Sequence, residues 1–348
     1  YSYNYQNWYP SVEFETKNTK KNIGLYDLTA FSKYDLKGEN VHIDLQKICT
    51  ANIKNEIGKI TYTQMLNEDG GIEADLTVAC LDQNHFRIIT SAANRERDKF
   101  HISKYLSSEV ELEDITERVA CFGIFGPNSR GLMEKLSNEG FSDENFKFGT
   151  GKKIKIKDKN IWAQRLSYVG ELGWELYIDI NHSKEIYNFI IQKGKEFKIS
   201  NCGMLSMDTM RMESGFLHWG HDISPEENQY EAGLDFTISY KKKIDFIGKK
   251  ALLKIKEKKQ KKKLITLSLE KSEPGKPLLL HDEPIYLDEK IIGRTTSGNY
   301  SFNYNKNLSF GYVNTETTLK ELCNKNLFIE VEKKKYKAKI EINPLNKS

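Results

Sequence analysis

A run of lysines near residue 260 is the feature that most constrains how this chain folds. In LLKIKEKKQKKKLITLSL, residues 254–263 are rich in Lys, and because like charges repel and stay in water, the run is typical of a solvated linker. The sequence before it mixes helix and strand signals. The sequence after it consists of short strands and Gly/Pro turns (EPGKPLLL, EPIYL, IIGRTTSG, LSFGYV), which are typical of a small all-β unit of barrel type.

Length and composition limit the remaining possibilities. With 348 residues, the chain is too long for one small core, and we expect two or three packed units. Its formal charge of +4, from 53 basic and 49 acidic side chains, is too balanced for a nucleic-acid-binding protein. Five widely spaced cysteines without a C-x-x-C pair favour neither a disulfide framework nor a zinc site. No stretch approaches the roughly 20 apolar residues of a membrane span, so we predict no membrane association and a cytoplasmic location.

The spacing of apolar residues predicts an α+β architecture. Helical intervals occur in HIDLQKICTANI, SRGLMEKLSN, SKEIYNFIIQKGKEF and MLSMDTMRMES. Strand signals, rich in β-branched and aromatic residues, occur in ITYTQML, IEADLTVACL, FRIIT, IWAQRLSY and WELYIDI. The irregular alternation favours α+β over a strict βαβ winding.

The stretch NEDGGIEADLTV, residues 67–78, carries four carboxylates around a Gly-Gly pair. It lacks the D-x-D-x-D-G run and the closing Glu of a calcium loop, so it predicts a turn. Glu68 and Asp69 belong to that turn. Asp75 lies in the following strand, where a carboxylate is disfavoured unless it faces water, a partner or a ligand, and spacing alone leaves these alternatives open.

The same stretch predicts the register of a β-hairpin. If Asn67 faces Ile72 across a four-residue loop, Gln64 faces Asp75, and Tyr62 lies diagonally from Asp75 on the same face. Alternation then sends the apolar residues of the second strand to one face and its acids to the other.

A second strand, in SYVGELGWELYI, carries Glu175 between Trp174 and Leu176. Glu175 therefore either lies on a solvent-exposed face or is positioned to recognise a ligand. A carboxylate can accept two parallel hydrogen bonds from an amidine-like edge, such as the aminopyrimidinone of a pterin.

The third stretch is MDTMRMESGFLHWGHDI. His218 and His221 could ligate a metal, but no third ligand is evident, and we favour a structural role and predict no metal site. Arg211 and Glu213 cannot share one helix face, so we expect them to have different partners.

Several nucleotide and hydrolase motifs are absent. FGTGKK does not fit G-x-G-x-x-G, and the chain lacks a Walker loop, a G-x-S-x-G elbow and an H-E-x-x-H. These absences argue against a dinucleotide-binding fold and against a hydrolase site in this chain.

Taken together and in this order, these stretches resemble the folate-binding aminomethyltransferase family, whose prototype is the glycine cleavage T-protein. The resemblance runs from about Trp8 to Lys335 and includes IGLYDLTAFSKYDLKG, YTQMLNEDGGIEADLTV, FGIFGPNSR, YVGELGWEL, DTMRMESG and EAGLDF. It implies three lobes around a central folate site, the last a β-barrel. With the lysine run, it predicts a two-lobed folate-binding domain over residues 8–255 and a C-terminal β-barrel domain over 264–348.

The resemblance implies roles for individual residues. Asp75 matches the family's catalytic aspartate in GGI-x-x-D-L, and Ala74 replaces the Asp that often precedes it. Tyr62 and Tyr168 match tyrosines that line the folate site, and Glu175 matches the glutamate that grips the pterin.

Arg211 corresponds to the second arginine of the family's RDTLR-type helix and is the expected folate-contacting arginine. Met207 stands where the first arginine would be. Which arginine or lysines contact folate is therefore left open by the sequence.

Within the family, YVGELGWEL and HWGHDISPEENQYEAGL are most similar to the C-terminal half of dimethylglycine and sarcosine dehydrogenases. This implies that the chain captures an amine-derived iminium on tetrahydrofolate, with Asp75 as general base and electrostatic partner. It also implies a preceding domain that holds FAD, an expectation with which the start at Tyr1 agrees, because Tyr1 is not an initiator Met.

Three alternatives remain. The chain could be a stand-alone T-protein that takes an aminomethyl group from a lipoyl carrier, a demethylase that moves a methyl group to folate, or a non-catalytic folate-binding scaffold.

Overall fold

The computed structural model describes residues 6–346, and the strands in that range form three sheets. Tyr1 and the predicted end of the barrel domain at residue 348 lie outside the described residues. Within them, the α-helices are α1 (Tyr9–Lys21), α2 (Val41–Ile48), α3 (Arg95–Ser103), α4 (Ser129–Leu136), α5 (Ile180–Gly194), α6 (Met204–Glu213), α7 (Lys249–Lys256) and α8 (Leu319–Leu322).

The strands of residues 6–346 follow in chain order. They are β1 (Ile23–Asp27), β2 (Ser32–Lys37), β3 (Ile60–Leu66), β4 (Ile72–Asp82), β5 (His85–Thr90), β6 (Glu111–Asp114), β7 (Val119–Phe125), β8 (Gly151–Ile156), β9 (Lys159–Gln164), β10 (Gly173–Asp179), β11 (Ile199–Cys202), β12 (Lys262–Leu269), β13 (Pro284–Leu287), β14 (Lys290–Ser301), β15 (Lys306–Asn314), β16 (Leu327–Val331) and β17 (Lys334–Ile340).

The first sheet has the order β3-β4-β5-β2-β6 and is antiparallel throughout. Alternation along β4 buries Leu76 and Val78 against Leu45 of α2 and Ile102 of α3. Full burial of such a side chain stabilises the fold by roughly 1.5–3 kcal/mol, so this face is fixed as the core side. The opposite face carries the polar residues of β4, and this is the face with Asp75.

The second sheet has the order β11-β1-β7-β10-β9-β8. Its pairs are antiparallel except β1 with β11. Trp174 and Leu176 of β10 pack with Leu132 of α4 and Ile186 of α5 on one face. Asp179 ends β10 and begins α5, because its carboxylate accepts the backbone N–H of Asn181. The other face of β10 carries Glu175 and Tyr177.

An edge of each open sheet joins the other. Lys59 and Thr150 form an isolated bridge, and the N–H of Gly151 donates to the carbonyl of Gly58 at 2.7 Å. Gly58 has φ +87°, and a Cβ there would lie 2.6 Å from the carbonyl oxygen of Gly151. Glycine is therefore required for this approach, which fixes how the two sheets face each other.

The third sheet is a closed barrel with the order β12-β15-β14-β13-β16-β17. Closure leaves no strand edge free, since β12 pairs with both β15 and β17. Both α7, which ends at Lys256, and the first barrel strand, which begins at Lys262, extend into the lysine run, so the linker between them is only residues 257–261. The α+β class and the C-terminal barrel predicted from the sequence are confirmed. In residues 6–346, no helix is both long and apolar enough to cross a bilayer.

Candidate active site

The acids of the 67–78 stretch separate into three environments. Glu68 and Asp69 are exposed in the turn, as predicted. Glu73 pairs with Arg97 of α3. Asp75 points to the other side of the sheet from the core, yet it is half-buried within the molecule.

The hairpin register agrees with the prediction beyond the turn and differs at the turn itself. Gln64 pairs with Asp75, as expected. The predicted pairing of Asn67 with Ile72 is wrong, because a β-bulge after Met65 places Leu66 opposite Ile72. The Asn67 side chain instead accepts the N–H of Gly71 at 2.8 Å and closes the turn.

The Asp75 carboxyl group has only neutral neighbours in the described part of the chain. The Gln64 amide donates to its Oδ1 at 2.7 Å, and the Tyr62 hydroxyl also hydrogen-bonds to it. Burial raises the pKa of Asp75 to about 6, and these two hydrogen bonds oppose the rise. Asp75 is thus a negative charge without a protein counter-ion, and part of its surface stays accessible.

Glu175 is the second carboxylate on a buried strand. The Tyr177 hydroxyl donates to its Oε2 at 2.7 Å, and burial raises the pKa of Glu175. In residues 6–346, no protein group hydrogen-bonds to its other oxygen. Gln164 lies directly across the ladder, and its buried amide oxygen and nitrogen both lack a partner. Gln164 is fully buried, so the group that this place offers to a ligand is the second carboxylate oxygen of the half-buried Glu175.

Tyr168 lies in the loop between β9 and β10. Its hydroxyl donates to the carbonyl of Leu217 at 2.7 Å, and its ring stacks on Phe216 with centroids 6.0 Å apart. Phe216 is 37 % exposed. The loop thus presents a partly accessible aromatic surface.

The face of the first sheet that carries Asp75 and the face of the second sheet that carries Glu175 are turned toward each other, and Ile89 of β5 packs there with Tyr177 of β10. The Arg87 guanidinium of β5, on the same face as Asp75, lies 5.8 Å from the centroid of the Tyr177 ring of β10. Glu175, two residues from Tyr177 on one face of β10, therefore faces the sheet of Asp75.

Electrostatic neighbours place the tyrosines in the same region. The charge of Asp75 acts on the pKa of both Tyr62 and Tyr168, which burial raises in the first place. Tyr62 is 38 % exposed although it lies deep in the molecule, as expected for a side chain that lines an internal opening. The structure thus brings Asp75, Tyr62 and Tyr168 together and sets Glu175 on the facing sheet.

Arg211 occupies a different environment from the one predicted. It is 1 % exposed and donates to Asp222 at 2.6 Å and to Ser297 of the barrel at 2.8 Å. Burial lowers its pKa, but the carboxylates of Asp222 and Asp208 more than offset this and raise it. Because the guanidinium has almost no accessible surface, we assign Arg211 a supporting role in place of the expected folate contact.

Glu213 of the same helix has partners other than those of Arg211, as predicted from their spacing. It accepts hydrogen bonds from Ser301 at 2.6 Å and from Asn303 at 3.0 Å. His218 and His221 lie with ring centroids 4.6 Å apart, and burial lowers the pKa of His218. No group of three or more His, Cys, Asp or Glu residues within 6–346 has the geometry of a metal site.

The sequence did not reveal a polar group behind Gln64. The Gln229 amide and the Thr237 hydroxyl donate to the Gln64 Oε1 at 2.7 and 2.6 Å. Both lie in a stretch without an α-helix, a strand or periodicity, in which Thr237 ends a short 3₁₀-helix (Asp235–Thr237). The two polar residues near Gly233 in NQYEAGLDFT were the only signal, and it is a weak one.

Family models match nearly the whole chain. The GCVT N-terminal domain matches residues 1–242, and the glycine cleavage T-protein C-terminal barrel domain matches residues 262–347. The chain belongs to this aminomethyltransferase-type, folate-dependent family, as the sequence motifs predicted.

Curated relatives are of two kinds. The mitochondrial dimethylglycine dehydrogenase of Rattus norvegicus is 35 % identical over 99 % of this chain, which covers 40 % of that protein. The aminomethyltransferase of Halothermothrix orenii is 32 % identical over 88 % of this chain and 84 % of its own length. The chain therefore spans about two fifths of the dehydrogenase and most of the aminomethyltransferase.

A solved structure gives the same fold. The glycine cleavage system aminomethyltransferase T from Bartonella henselae superposes with a TM-score of 0.85 at 21 % identity, over 96 % of this chain and 89 % of that one. The arrangement of two open sheets and a barrel is therefore that of a T-protein.

Proposed function

We propose that this chain captures an iminium-derived methylene group on tetrahydrofolate beside Asp75 and forms methylene-tetrahydrofolate. Within this proposal, tetrahydrofolate is the acceptor substrate and supplies the amine that attacks the one-carbon unit. One observation carries the proposal: Asp75 is a buried, partly accessible carboxylate whose neighbours Gln64 and Tyr62 are neutral. Such a group attracts a cationic reactant, because no protein cation already compensates its charge.

The protonation state of Asp75 suits this role. With a pKa of about 6, Asp75 is ionised at pH 7 by about ten to one. The carboxylate then stabilises the iminium cation and accepts the proton that the attacking amine releases. It can return this proton to the donor amine, which leaves as the second folate nitrogen bonds to the carbon and closes methylene-tetrahydrofolate. A base whose pKa lies near the working pH is effective in both directions of proton transfer, and such catalysis is typically worth about 100- to 10,000-fold.

The other predicted residues supply orientation. Glu175 offers one free carboxylate oxygen, which suits the donor-rich edge of a pterin. Tyr62 and the Tyr168–Phe216 pair offer aromatic surfaces for the rest of the folate. Holding the acceptor in place lowers the entropic part of the activation barrier, and these residues take no part in bond making.

The test is the variant Asp75→Asn, which keeps the shape and removes the charge. The iminium is generated from formaldehyde and N-methylglycine, and product formation is followed with and without protein. We expect a loss of about 100- to 10,000-fold in the protein-dependent rate, with the Kd for tetrahydrofolate within about threefold of wild type. Asp69→Asn, an exposed turn acid, is the matched control and should retain wild-type rates.

Each result has a distinct meaning. If the Asp75→Asn rate stays near wild type, Asp75 is not the base and the proposal fails. If the wild-type chain binds tetrahydrofolate but neither the wild type nor Asp75→Asn accelerates the reaction, the chain is better described as a non-catalytic folate-binding scaffold.

For the whole protein, we propose a dimethylglycine or sarcosine dehydrogenase type, in which a preceding domain with FAD oxidises an N-methyl amine. The relatives that support this are longer than the chain, which covers 40 % of the rat protein. An in-frame G-x-G-x-x-G after a strand upstream of Tyr1 would support the flavin partner, and an initiator Met immediately before Tyr1 would contradict it.

A stand-alone glycine cleavage aminomethyltransferase is the second candidate, because the chain covers 84 % of the relative of that name. Incubation with an aminomethylated lipoyl carrier separates the two, since only the stand-alone enzyme should consume it. The cytoplasmic location also stays a prediction, and the rat, human and mouse dehydrogenases are described as mitochondrial.

A further inference from the structure

Gln64 connects Asp75 to a buried polar group on a distant segment. Its Nε2 donates to Asp75 Oδ1 at 2.7 Å, and its Oε1 accepts from Gln229 Nε2 at 2.7 Å and from Thr237 Oγ1 at 2.6 Å. The Leu234 carbonyl, also at 2.6 Å, is a second acceptor for the single hydrogen of the Thr237 hydroxyl. Gln64 and Gln229 are fully buried, and Thr237 is buried as well. Gln229 Nε2 also lies 2.7 Å from Thr237 Oγ1 and 3.1 Å from Thr50 Oγ1.

This arrangement allows one orientation of the Gln64 amide. An ionised carboxylate only accepts hydrogen bonds, so Asp75 requires an N–H from Gln64. If the amide were flipped, its oxygen would face Asp75 and its NH2 group would face the NH2 group of Gln229. The oxygen–oxygen and NH2–NH2 contacts would both be repulsive. Because the site is buried, each unpaired polar group would also lose its hydration without gaining a hydrogen bond.

The donors come from a segment far along the chain. Gln229 and Thr237 flank the turn at Gly233, and Leu234 between them packs with Leu66 and Ile72 of the hairpin. The segment also hydrogen-bonds to the hairpin, where the Ile72 N–H donates to the Glu227 carbonyl at 3.0 Å. The position of these donors is therefore fixed by packing against the strands that carry Gln64 and Asp75.

We propose that Gln64 is a positioning residue that orients the Asp75 carboxylate and holds it ionised, and that Gln229 and Thr237 fix the amide of Gln64 for this purpose. The inference rests on the proposed function only for its consequence in catalysis. The hydrogen-bond relay from residues 229–237 to Asp75 is a property of the folded chain.

The experiment measures the pKa of Asp75 directly by 13C NMR. The chain is labelled with 13C at the aspartate carboxyl groups, and the Asp75 signal is identified by its absence in Asp75→Asn. In Gln64→Leu, we expect the pKa of Asp75 to rise by about one unit or more, because the charged form loses a donor. The acidic limb of the pH–rate profile for one-carbon transfer should move to higher pH by the same amount.

Gln46→Leu is the matched control. Gln46 is a buried glutamine of the same sheet unit, but its amide donates to Asn52 and to the Ile53 carbonyl. This variant should lose comparable stability and leave the titration of Asp75 unchanged. An equal pKa of Asp75 in Gln64→Leu and in wild type overturns the proposal.

Thr237 provides a second, milder test if Gln64→Leu does not fold. Thr237→Val removes the hydroxyl with little change of shape, and Thr237→Ser restores it. We expect a smaller rise in the pKa of Asp75 in the Val variant and a wild-type value in the Ser variant. If Val and Ser behave alike, Thr237 does not orient Gln64.

The carboxyl titration also separates this inference from the proposed function. If Asp75→Asn retains full transfer activity, the proposed function fails, yet a shifted titration in Gln64→Leu still supports the relay. If Asp75→Asn abolishes transfer and Gln64→Leu leaves the titration unchanged, the function stands and the relay fails.

Discussion

Asp75 and Asp222 are both aspartates in the interior, but the structure gives them opposite electrostatic settings. Asp222 accepts hydrogen bonds from Arg211, Thr296 and Ser297 at 2.6, 2.6 and 2.8 Å and is 1 % exposed. Asp75 has only neutral partners and remains partly accessible. The charge of Asp222 is compensated by Arg211, whereas no charged group in residues 6–346 hydrogen-bonds to Asp75.

Compensation of charge distinguishes a structural carboxylate from a chemical one. The Arg211–Asp222 pair joins α6 to Ser297 of the barrel, so its charges hold two units of the fold together. At Asp75, the fold accepts the cost of a buried charge and gains no ion pair for it. A buried charge without a compensating partner is a strong sign of function.

The largest expected effect is on stability at the compensated site. Asp222→Asn removes one of the two carboxylates that compensate the buried Arg211 guanidinium and leaves Asp208, which is partly exposed, as its counter-ion. We therefore expect the free energy of unfolding to fall by about 3–4 kcal/mol. Urea denaturation measures it. Asp245→Asn removes a carboxylate from an exposed pair with Lys249 and should cost less than about 1 kcal/mol. If the two variants lost equal amounts of unfolding free energy, burial of the Arg211–Asp222 pair would not explain its contribution to stability.

The same substitution at the uncompensated site should act in the opposite direction. Burial raises the folded-state pKa of Asp75 from 3.8 to about 6, so the free energy of unfolding falls as the pH rises from about 4 to about 6, and the penalty is complete above that range. Asp75→Asn removes that penalty, and we expect a gain of up to about 3 kcal/mol at pH 7.5 that disappears near pH 4. A loss of stability at pH 7.5 would contradict the assignment of Asp75 as a destabilising charge.

Glu175 is the corresponding carboxylate on the facing sheet. Glu175→Gln replaces a free acceptor oxygen by an amide, and we expect tetrahydrofolate to bind about 10- to 100-fold more weakly, because a hydrogen bond to a charged group is lost. The rate at saturating folate should change little. Glu171→Gln, in the nearby turn and paired with Lys20, is the control. An unchanged Kd in Glu175→Gln would remove Glu175 from the folate site.

Tyr168 should give the smallest effect. Tyr168→Phe removes the hydrogen bond to the Leu217 carbonyl and keeps the ring, so we expect a loss of about 0.5–1.5 kcal/mol in the free energy of unfolding. The Kd for tetrahydrofolate should stay within about threefold of wild type if the ring provides the contact. A large loss of affinity would instead assign the hydroxyl to the ligand.

The sequence predicted what depends on local pattern. Turn residues and strand alternation placed Gln64 opposite Asp75, and the Gly/Pro turns after the lysine run predicted the barrel. The β-bulge near Leu66 was missed, because it depends on how the Asn67 side chain closes the turn.

What the sequence could not predict depends on distant partners. Arg211 was expected at the ligand, but its position is set by Asp222 and by Ser297 of the barrel. Gln229 and Thr237 lie in a segment without periodicity, and only the folded chain shows that they reach Gln64.

The most direct test of the account is the pH dependence of one-carbon transfer at saturating tetrahydrofolate. Because the carboxylate form of Asp75 is the active one and its pKa is about 6, the rate should be constant above pH 7 and fall tenfold per pH unit well below 6. Circular dichroism at each pH verifies that the chain stays folded. A rate that stays level down to pH 4.5 in folded protein would contradict the central claim that ionised Asp75 is the base.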